Sequence, residues 1–391
     1  MHTYDQLKDI VLSRADELAT ATKELALQIY NDPETSGKEY QSSVLIASFL
    51  EEQGFDITAP YADLPTAFKA SIGHGQTHIA LLGEYDALPD IGHGCGHNLI
   101  AAASTLAACA LLPVLETIGG RLSVIGTPSE EQGSRKIDMI ENGAFEDIQM
   151  AMISHPTAIH DVATIFSYAN TDVWVTFHGK EAHAAASPEQ GINALDALIL
   201  SFNAINALRQ QLKSDVRIHG IILKGGEAAN IIPSLTKAHF MVRSKNGTYL
   251  KSIIQKVGDI FRGAALQTGC TANIDIGHTC LNMKNNKAMA ETYIQSMAEL
   301  GQAVDLRCNS LSFGSTDMGN VSHLIPSIHP LFAISDEELT PHTTSFCLAA
   351  GSSQALEAMV QNAKGLALTA LKMYIDKDLC AKAQEDFQEQ V

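Results

Sequence analysis

Between positions 83 and 98 the chain reads Gly83-Glu84-Tyr85-Asp86-Ala87-Leu88-Pro89, then Gly92-His93-Gly94-Cys95-Gly96-His97-Asn98. Cys95 and His97 offer a thiol and an imidazole, the usual ligands of zinc-like ions. The glycines let the backbone turn tightly around them. A glycine-rich turn with a buried cysteine and surface histidines would have the same composition. A second cluster, Gly126-Thr127-Pro128-Ser129-Glu130-Glu131-Gln132-Gly133, sets two acids side by side. One acid of such a pair can ligate a metal while the other takes a proton from water. A solvated pair at a helix start, where acids suit the dipole, is the alternative. His155, before Pro156, and His342, in Thr340-Pro341-His342-Thr343-Thr344, are isolated histidines of a kind more often structural. Taken together, Cys95, His97, Glu131, His155 and His342 supply nitrogen, sulfur and oxygen donors enough for two metal ions. Two such ions about 3.5–4 Å apart can activate one water between them.

These side chains need elements to hold them. Residues 5–30 predict an amphipathic helix ending near Asn31-Asp32-Pro33, and 41–53 a second helix closed by Gly54. The apolar run 78–83 predicts a buried strand. Residues 98–112, small and apolar on nearly every face, predict a buried helix. Further strands are expected at 120–126 and 150–155, with a helix at 137–142. Each chemical cluster except the one at 342 thus lies near the end of an expected strand or the start of a helix that follows one. Loops at the carboxyl ends of strands are where open α/β sheets bind ligands. The alternation of strands and helices predicts an α/β fold. The middle of the chain differs. Strand 167–178, helix 191–212, strands 220–223 and 238–244, helix 248–267 and strand 273–277 follow the split βαβ order of a ferredoxin-like domain. It is expected at 167–280 as an insertion, because helices at 285–300 and 350–375 resume the first pattern. The metal-binding catalytic domain is then discontinuous, 1–166 with 281–391.

Composition narrows the function. The chain has 391 residues, 46% of them hydrophobic and 18% charged, which excludes disorder as the main state. Apolar runs such as 106–112 fall short of the ~20 residues that span a bilayer, so no membrane association is expected. Residues 1–12 mix acids with apolar residues and lack a basic start, so no signal peptide is read there. Net charge is 26 − 44 = −18, which disfavours nucleic-acid partners. An acidic small substrate stays compatible, because a pocket can be locally basic. The 7 cysteines are scattered and odd in number, which fits free thiols in a reducing cytoplasm better than a disulfide scaffold.

The stretches 83–89, 92–98, 126–133, 155–156, 179–197, 225–233 and 341–346, in that order, resemble the dinuclear-metal aminoacylase/carboxypeptidase family. Within it they are similar to the amidohydrolase branch of hippurate and auxin-conjugate hydrolases. The aminobenzoyl-glutamate hydrolases and Xaa-Arg dipeptidase-like proteins are nearer still. The resemblance covers roughly residues 10 to 375. It implies a mixed-sheet metallo-exopeptidase domain with an inserted ferredoxin-like lid that forms a homodimer. It also implies two divalent ions, zinc or manganese foremost, with cobalt or nickel permitted. By the same resemblance Cys95 is the bridging ligand, His97, Glu131, His155 and His342 are further ligands, and Glu130 is the general base. Asp86 resembles the acid that orients a ligand imidazole. His183 resembles the histidine that polarises the scissile carbonyl, from the other subunit in dimeric relatives. Asn230 and Arg243 resemble contacts to a substrate carboxylate, which the planar guanidinium fork suits. A strand residue laying its stem along the sheet is the other reading of Arg243. The loop Ser312-Phe313-Gly314-Ser315-Thr316-Asp317 resembles a substrate-proximal loop.

The implied reaction is metal-assisted hydrolysis of the amide of a small N-acyl amino acid or dipeptide. Deacylation of N-acetyl or N-succinyl amino acids, carboxypeptidase action and a non-catalytic metal-binding role are the rivals. One position departs from the branch. Many members carry Asp where this chain has Asn98, and the exchange takes a hydrogen-bond acceptor from the expected neighbourhood of the metals.

Overall fold

The computed structural model describes residues 2–307 and 314–390 and divides into two compact units, 1–166 with 283–391, and 167–282. The first unit is built on a six-stranded sheet. Its order is Asp56–Thr58, Phe68–Gly73, Arg121–Gly126, His78–Gly83, Met150–Met152, Ser327–Ile328. The last four strands run parallel and the first two antiparallel, so the sheet is mixed. His78–Gly83 is buried at every position. Ile79 and Leu81 enter one apolar core, while Ala80 and Leu82 enter the core on the other face. A strand covered on both faces has no reason to alternate, which is why this one reads as an unbroken apolar run.

The first helix, Tyr4–Asn31, starts in a capping box in which Thr3 and Gln6 satisfy each other's backbone N–H groups. It buries Leu7, Val11, Ala15, Leu25 and Ile29 along one stripe. The helix His97–Ile118 is buried at every residue from His97 to Leu111. It outruns the expected end at 112 by continuing through Pro113, because Val114 and Leu115 still pack into the core. Among the described residues it is the one helix long and apolar enough to cross a membrane, and 89% of that stretch is buried inside the unit. Its length escaped the apolar-run reading because Ser104 and Thr105 interrupt it. Both hydroxyls are satisfied internally, on the carbonyls of Leu82 (2.6 Å) and Ala101 (2.8 Å).

Three expected elements are divided or shortened. The strand expected at 150–155 is two: Met150–Met152 belongs to the six-stranded sheet, while His155–Thr157 pairs with Leu331–Ala333 in a separate four-stranded sheet. The helix expected at 191–212 is shortened to Ala194–Leu208: Asn193, whose side chain accepts from the N–H groups of Leu195 and Asp196, sets its start, and a tighter 3-10 turn, Arg209–Gln211, follows its end. The helix expected at 350–375 becomes Thr344–Ala350 and Ser353–Ile375, the second capped afresh by Ser352.

The second unit is a four-stranded antiparallel sheet in the order Thr271–Cys280, Ala169–His178, Leu235–Ser244, Arg217–Lys224. Chain order and sheet order together are ferredoxin-like. Helices Ala194–Leu208 and Gly247–Thr268 share one core with Val173, Val175, Phe177, Ala238, Phe240 and Val242.

His78 opens the central strand with both ring nitrogens engaged, on the Asp147 carbonyl (2.9 Å) and the Ser123 hydroxyl (2.8 Å). Burial, then the Arg121 guanidinium, outweigh the Asp147 carboxylate and push its pKa from 6.5 down to about 4. The unfolded chain therefore binds more protons than the folded one between those values. The stability His78 contributes is complete above pH 6.5 and is lost as pH falls to about 4. Thermal unfolding followed from pH 7.5 to 4.5 should show His78→Gln losing less stability over that window than the wild type. Parallel curves would refute the assignment.

Candidate metal centre

The parallel strands Arg121–Gly126, His78–Gly83 and Met150–Met152 end on the same edge of the sheet. Glu84 and Asp86 follow the second of these, Glu130 and Glu131 the first, and His155 the third. Cys95 and His97 flank the left-handed residue Gly96 (φ +77°) at the start of the His97–Ile118 helix. A Cβ on Gly96 would lie 2.4 Å from the Pro156 side chain, so the glycine lets the His155 segment approach. His342 adopts φ +65°, and its N–H donates to the Gly94 carbonyl (2.9 Å), which ties its loop to the Cys95 turn.

The donor atoms of Cys95, His97 and His155 lie within 4.8 Å of one another, as do those of Cys95, Glu131 and His342. Cys95 is common to both groups. Its Sγ is 3.4 Å from His155 Nε2, and His342 Nε2 is 3.3 Å from Glu131 Oε1. His97 Nδ1 faces Asp86 Oδ1 (3.0 Å) and the Asp86 carbonyl (2.9 Å). His155 Nδ1 faces the Pro156 carbonyl (2.7 Å). Acceptors at both Nδ1 atoms place the protons there and turn both Nε2 lone pairs toward Cys95 and Glu131. His97 Nε2 is buried without a hydrogen-bond partner among the described residues, 3.6 Å from Glu84 Oε2 and 3.9 Å from Glu131 Oε1. A buried imidazole nitrogen with its lone pair aimed at a thiol and carboxylates fits a cation there, and the soft-plus-hard donor set fits a zinc-like ion.

The electrostatics follow from burial and neighbours. Burial alone would raise Asp86, but the His97 imidazole, the Ser36 hydroxyl and the Glu131 N–H hold it below the usual carboxylate range. Burial would lower His97, and Asp86 reverses that. Burial, then the neighbouring His97 imidazole, pushes His155 down to about 4, leaving it the neutral imidazole that a ligand must be. Glu130 is driven well up by burial and by Glu84, Asp317 and Glu131.

The sequence reading missed a second layer. Lys136, fully buried, places its ammonium 2.5 Å from Glu84 and 2.6 Å from Asp317. Asp317 also accepts the Lys136 N–H (3.1 Å). The ring of His329, at the end of the neighbouring strand Ser327–Ile328, stands 5.8 Å from that of His155. The only available signal was position: Glu84 precedes Asp86 by two residues, and His329 follows a short apolar run. In the expected substrate-proximal loop, Ser312 and Phe313 lie outside the described residues, and Asp317 belongs to the Lys136 network.

Asn98 is fully buried at the first turn of the His97–Ile118 helix. Its amide donates to the carbonyls of Ala26 (3.4 Å) and Ala350 (3.3 Å), joining the ends of two other helices.

His183, Asn230 and Arg243 belong to the second unit. His183 is exposed, and its Nδ1 accepts from the N–H groups of Ala185 (3.2 Å) and Ala186 (3.1 Å), which leaves its proton on Nε2. The Asn230 carbonyl accepts the Ala184 N–H (3.0 Å), and His183 bridges Ile231, so Asn230 and His183 lie on adjoining loop segments. Arg243 rests its guanidinium on the Met241 sulfur (3.0 Å) and has no ion pair among the described residues.

Comparison with known proteins gives four results. Residues 169–269 match the family model of the peptidase dimerisation domain. The chain is 38% identical to the Xaa-Arg dipeptidase of Mus musculus over 97% of this chain and 92% of that protein. It is 30% identical to one of the chains that make up the p-aminobenzoyl-glutamate hydrolase of Escherichia coli, over 94% and 92%. Its fold matches that of the Bacillus subtilis YXEP protein, a dinuclear metal-binding peptidase of the M20 family (TM-score 0.64, 17% identity, 91% and 99% covered).

An aspartate at position 98 could not donate to two carbonyls and would bury a charge between them. Asn98→Asp should lower stability by about 1–3 kcal/mol or more. Urea unfolding measures this, and metal stoichiometry should stay at the wild-type level. Loss of metal with unchanged stability would return Asn98 to the metal centre.

Proposed function

We propose, since the chain belongs to the M20 peptidase family and is a metal-dependent hydrolase of amide or peptide bonds, that it cleaves dipeptides and N-acyl amino acids. Dipeptides ending in arginine are the first candidates and p-aminobenzoyl-glutamate the second, after the activities named for its relatives. One observation carries the reading at the site: the Cys95 thiol, the Glu131 carboxylate and three imidazoles converge, with His97 Nε2 left without a hydrogen-bond partner among the described residues.

Cys95, His97, Glu131, His155 and His342 would hold two divalent ions, which supply Lewis acidity and ease the deprotonation of water. A thiolate in the set favours zinc, and manganese remains compatible. Glu130 does the proton work. Burial and three neighbouring acids raise its pKa, and its carboxylate would take a proton from the attacking water and return it to the leaving amine. Asp86 keeps His97 in one tautomer. His183, with its proton on Nε2, is the donor for the carbonyl oxygen. Asn230 and Arg243 bind the substrate carboxylate. Cys95, Cys109, Cys270, Cys347 and Cys380 form no disulfide among the described residues, which supports a cytoplasmic setting.

Homodimerisation is part of this reading. Arg217–Lys224 is an edge strand, and Ile221 (59%), Ile222 (49%) and Leu223 (54%) are exposed in succession along it. An apolar, unpaired strand edge is a template for a second copy, and His183 would then act in the partner's site.

Purified protein should carry near two zinc or manganese ions per chain, falling sharply in Cys95→Ala. Glu130→Gln should keep the ions and lose about 10²–10⁴ in kcat. An ion-free wild type that takes up neither metal, or near-normal turnover in metal-loaded Glu130→Gln, would overturn the reading. Light scattering should give twice the chain mass of 41.9 kDa. The double substitution Ile221→Lys with Leu223→Lys should give monomer with activity reduced at least tenfold. A fully active monomer would place His183 in its own subunit's site.

A further inference from the structure

Glu130 stands between two residues whose backbone N–H groups are each held by a buried carboxylate. The Glu131 N–H donates to Asp86 Oδ2 (3.0 Å), and the Ser129 N–H donates to Glu39 Oε1 (3.0 Å). Asp86 already has a place beside His97. Glu39 has none in the reading above, and no motif drew attention to it.

Glu39 is fully buried, at the start of the helix Tyr40–Glu52, yet its side chain does not cap that helix. Its Oε1 accepts from the Gly37 N–H (2.7 Å), the Ser129 N–H and the Ser129 hydroxyl (3.2 Å). Its Oε2 accepts from the Thr66 hydroxyl (2.9 Å). Four donors thus converge on one carboxyl group. Ser129 itself has φ +57°, a left-handed backbone that costs a non-glycine residue free energy. Both donors of this strained residue are taken up by Glu39, 90 positions earlier in the chain. The turn from the strand Arg121–Gly126 into the acid pair is therefore imposed by a side chain from another segment.

The same segment reaches the other side of the clamp. The Ser36 hydroxyl donates to Asp86 Oδ2 (2.7 Å), and the Ala87 N–H donates to the Glu34 carbonyl (2.7 Å). Residues 34–39 thus bind the loop that carries Asp86 and the loop that carries Glu130.

We propose that Glu39 is a positioning residue for amide hydrolysis: with Asp86 it fixes the backbone on both sides of Glu130 and so sets where the proton-transferring carboxyl lies. This deepens the function proposed above and rests on it. Displacing a catalytic group by about 1 Å can cost up to 10²-fold in rate.

The test uses Glu39→Ala and Glu39→Gln in the full chain. The substrate is whichever of alanyl-arginine and p-aminobenzoyl-glutamate the wild type cleaves faster. Glu39→Ala should lose about 10- to 100-fold in kcat per metal-loaded, folded enzyme, with KM within about twofold. Glu39→Gln keeps an oxygen for the Gly37 and Ser129 N–H groups and should recover most of the loss. A second readout needs no activity. In metal-free protein, hydrogen exchange of a peptide spanning 127–133 should accelerate in Glu39→Ala and not in Glu39→Gln, while peptides from 97–118 stay protected. Should Glu39→Ala not fold, Glu39→Asp, which withdraws the carboxylate from Ser129, carries the same expectations. Unchanged kcat, no rescue by glutamine, or exchange that spreads into 97–118 would each overturn the proposal. A wild type that cleaves no amide would sink the proposed function, while the exchange measurement would still decide whether Glu39 holds the loop.

Discussion

Asp86 is a buried carboxylate with three partners from three segments. Oδ1 meets the His97 imidazole, and Oδ2 accepts the Glu131 N–H and the Ser36 hydroxyl. Burying such a group without partners would cost several kcal/mol. Here every bond also sets geometry. The imidazole bond turns one ligand, the N–H bond seats the strand-end loop that carries another, and the hydroxyl fastens the connection between the first two helices. The carboxylate is tolerable in the interior because these segments surround it, and the segments are ordered because it is there. That reciprocity makes the polar interior of this unit as specific as its apolar cores.

The apolar scaffold explains why such a cluster forms at one edge of one sheet. Parallel strands are stable where both their faces are covered, and they deliver their following loops to a common edge. His155 needs one more device. Between Met152 and His155 the chain leaves the six-stranded sheet for the smaller one, and the glycine at 96 clears the space into which Pro156 moves. A continuous strand from 150 to 155 would have carried the imidazole onward in register with the sheet. The division of that strand is thus part of how the donor set closes.

Much of this was legible in the sequence, and the physical reason for the rest is sequence distance. The cysteine, the histidines and the acid pair announce themselves because their chemistry is concentrated in short stretches beside strand-like runs. The ferredoxin-like order of the second unit is legible because antiparallel strands with one covered face alternate cleanly. Lys136 is different. Its partners Glu84 and Asp317 lie 52 and 181 positions away, and no local pattern marks a lysine that will be buried. Glu39 was likewise hidden, since a glutamate before a helix has an ordinary local role that this one does not take. The inserted turns that shorten or split helices, at Asn193 and Ser352, were capping residues whose force depends on what lies beyond them.

The three acids Glu84, Glu130 and Asp317 have the spacing of a metal site, with donor oxygens within 4.8 Å of one another. The Lys136 ammonium already lies 2.5 Å from one and 2.6 Å from another. At an effective dielectric of about 20, two unit charges at that 4.8 Å separation repel by about 3 kcal/mol, so three uncompensated carboxylates would not share the interior. The lysine resolves this unequally. It bonds Glu84 and Asp317 directly, while among the described residues it forms no hydrogen bond with Glu130. Glu130 feels the two acids' repulsion and only part of the lysine's attraction, and burial adds to the first. One buried ammonium thus permits the cluster by bonding two of its members, and leaves the third, Glu130, pushed well up by burial and by its acidic neighbours. That member is the one adjacent in sequence to Glu131, where the metal donors converge.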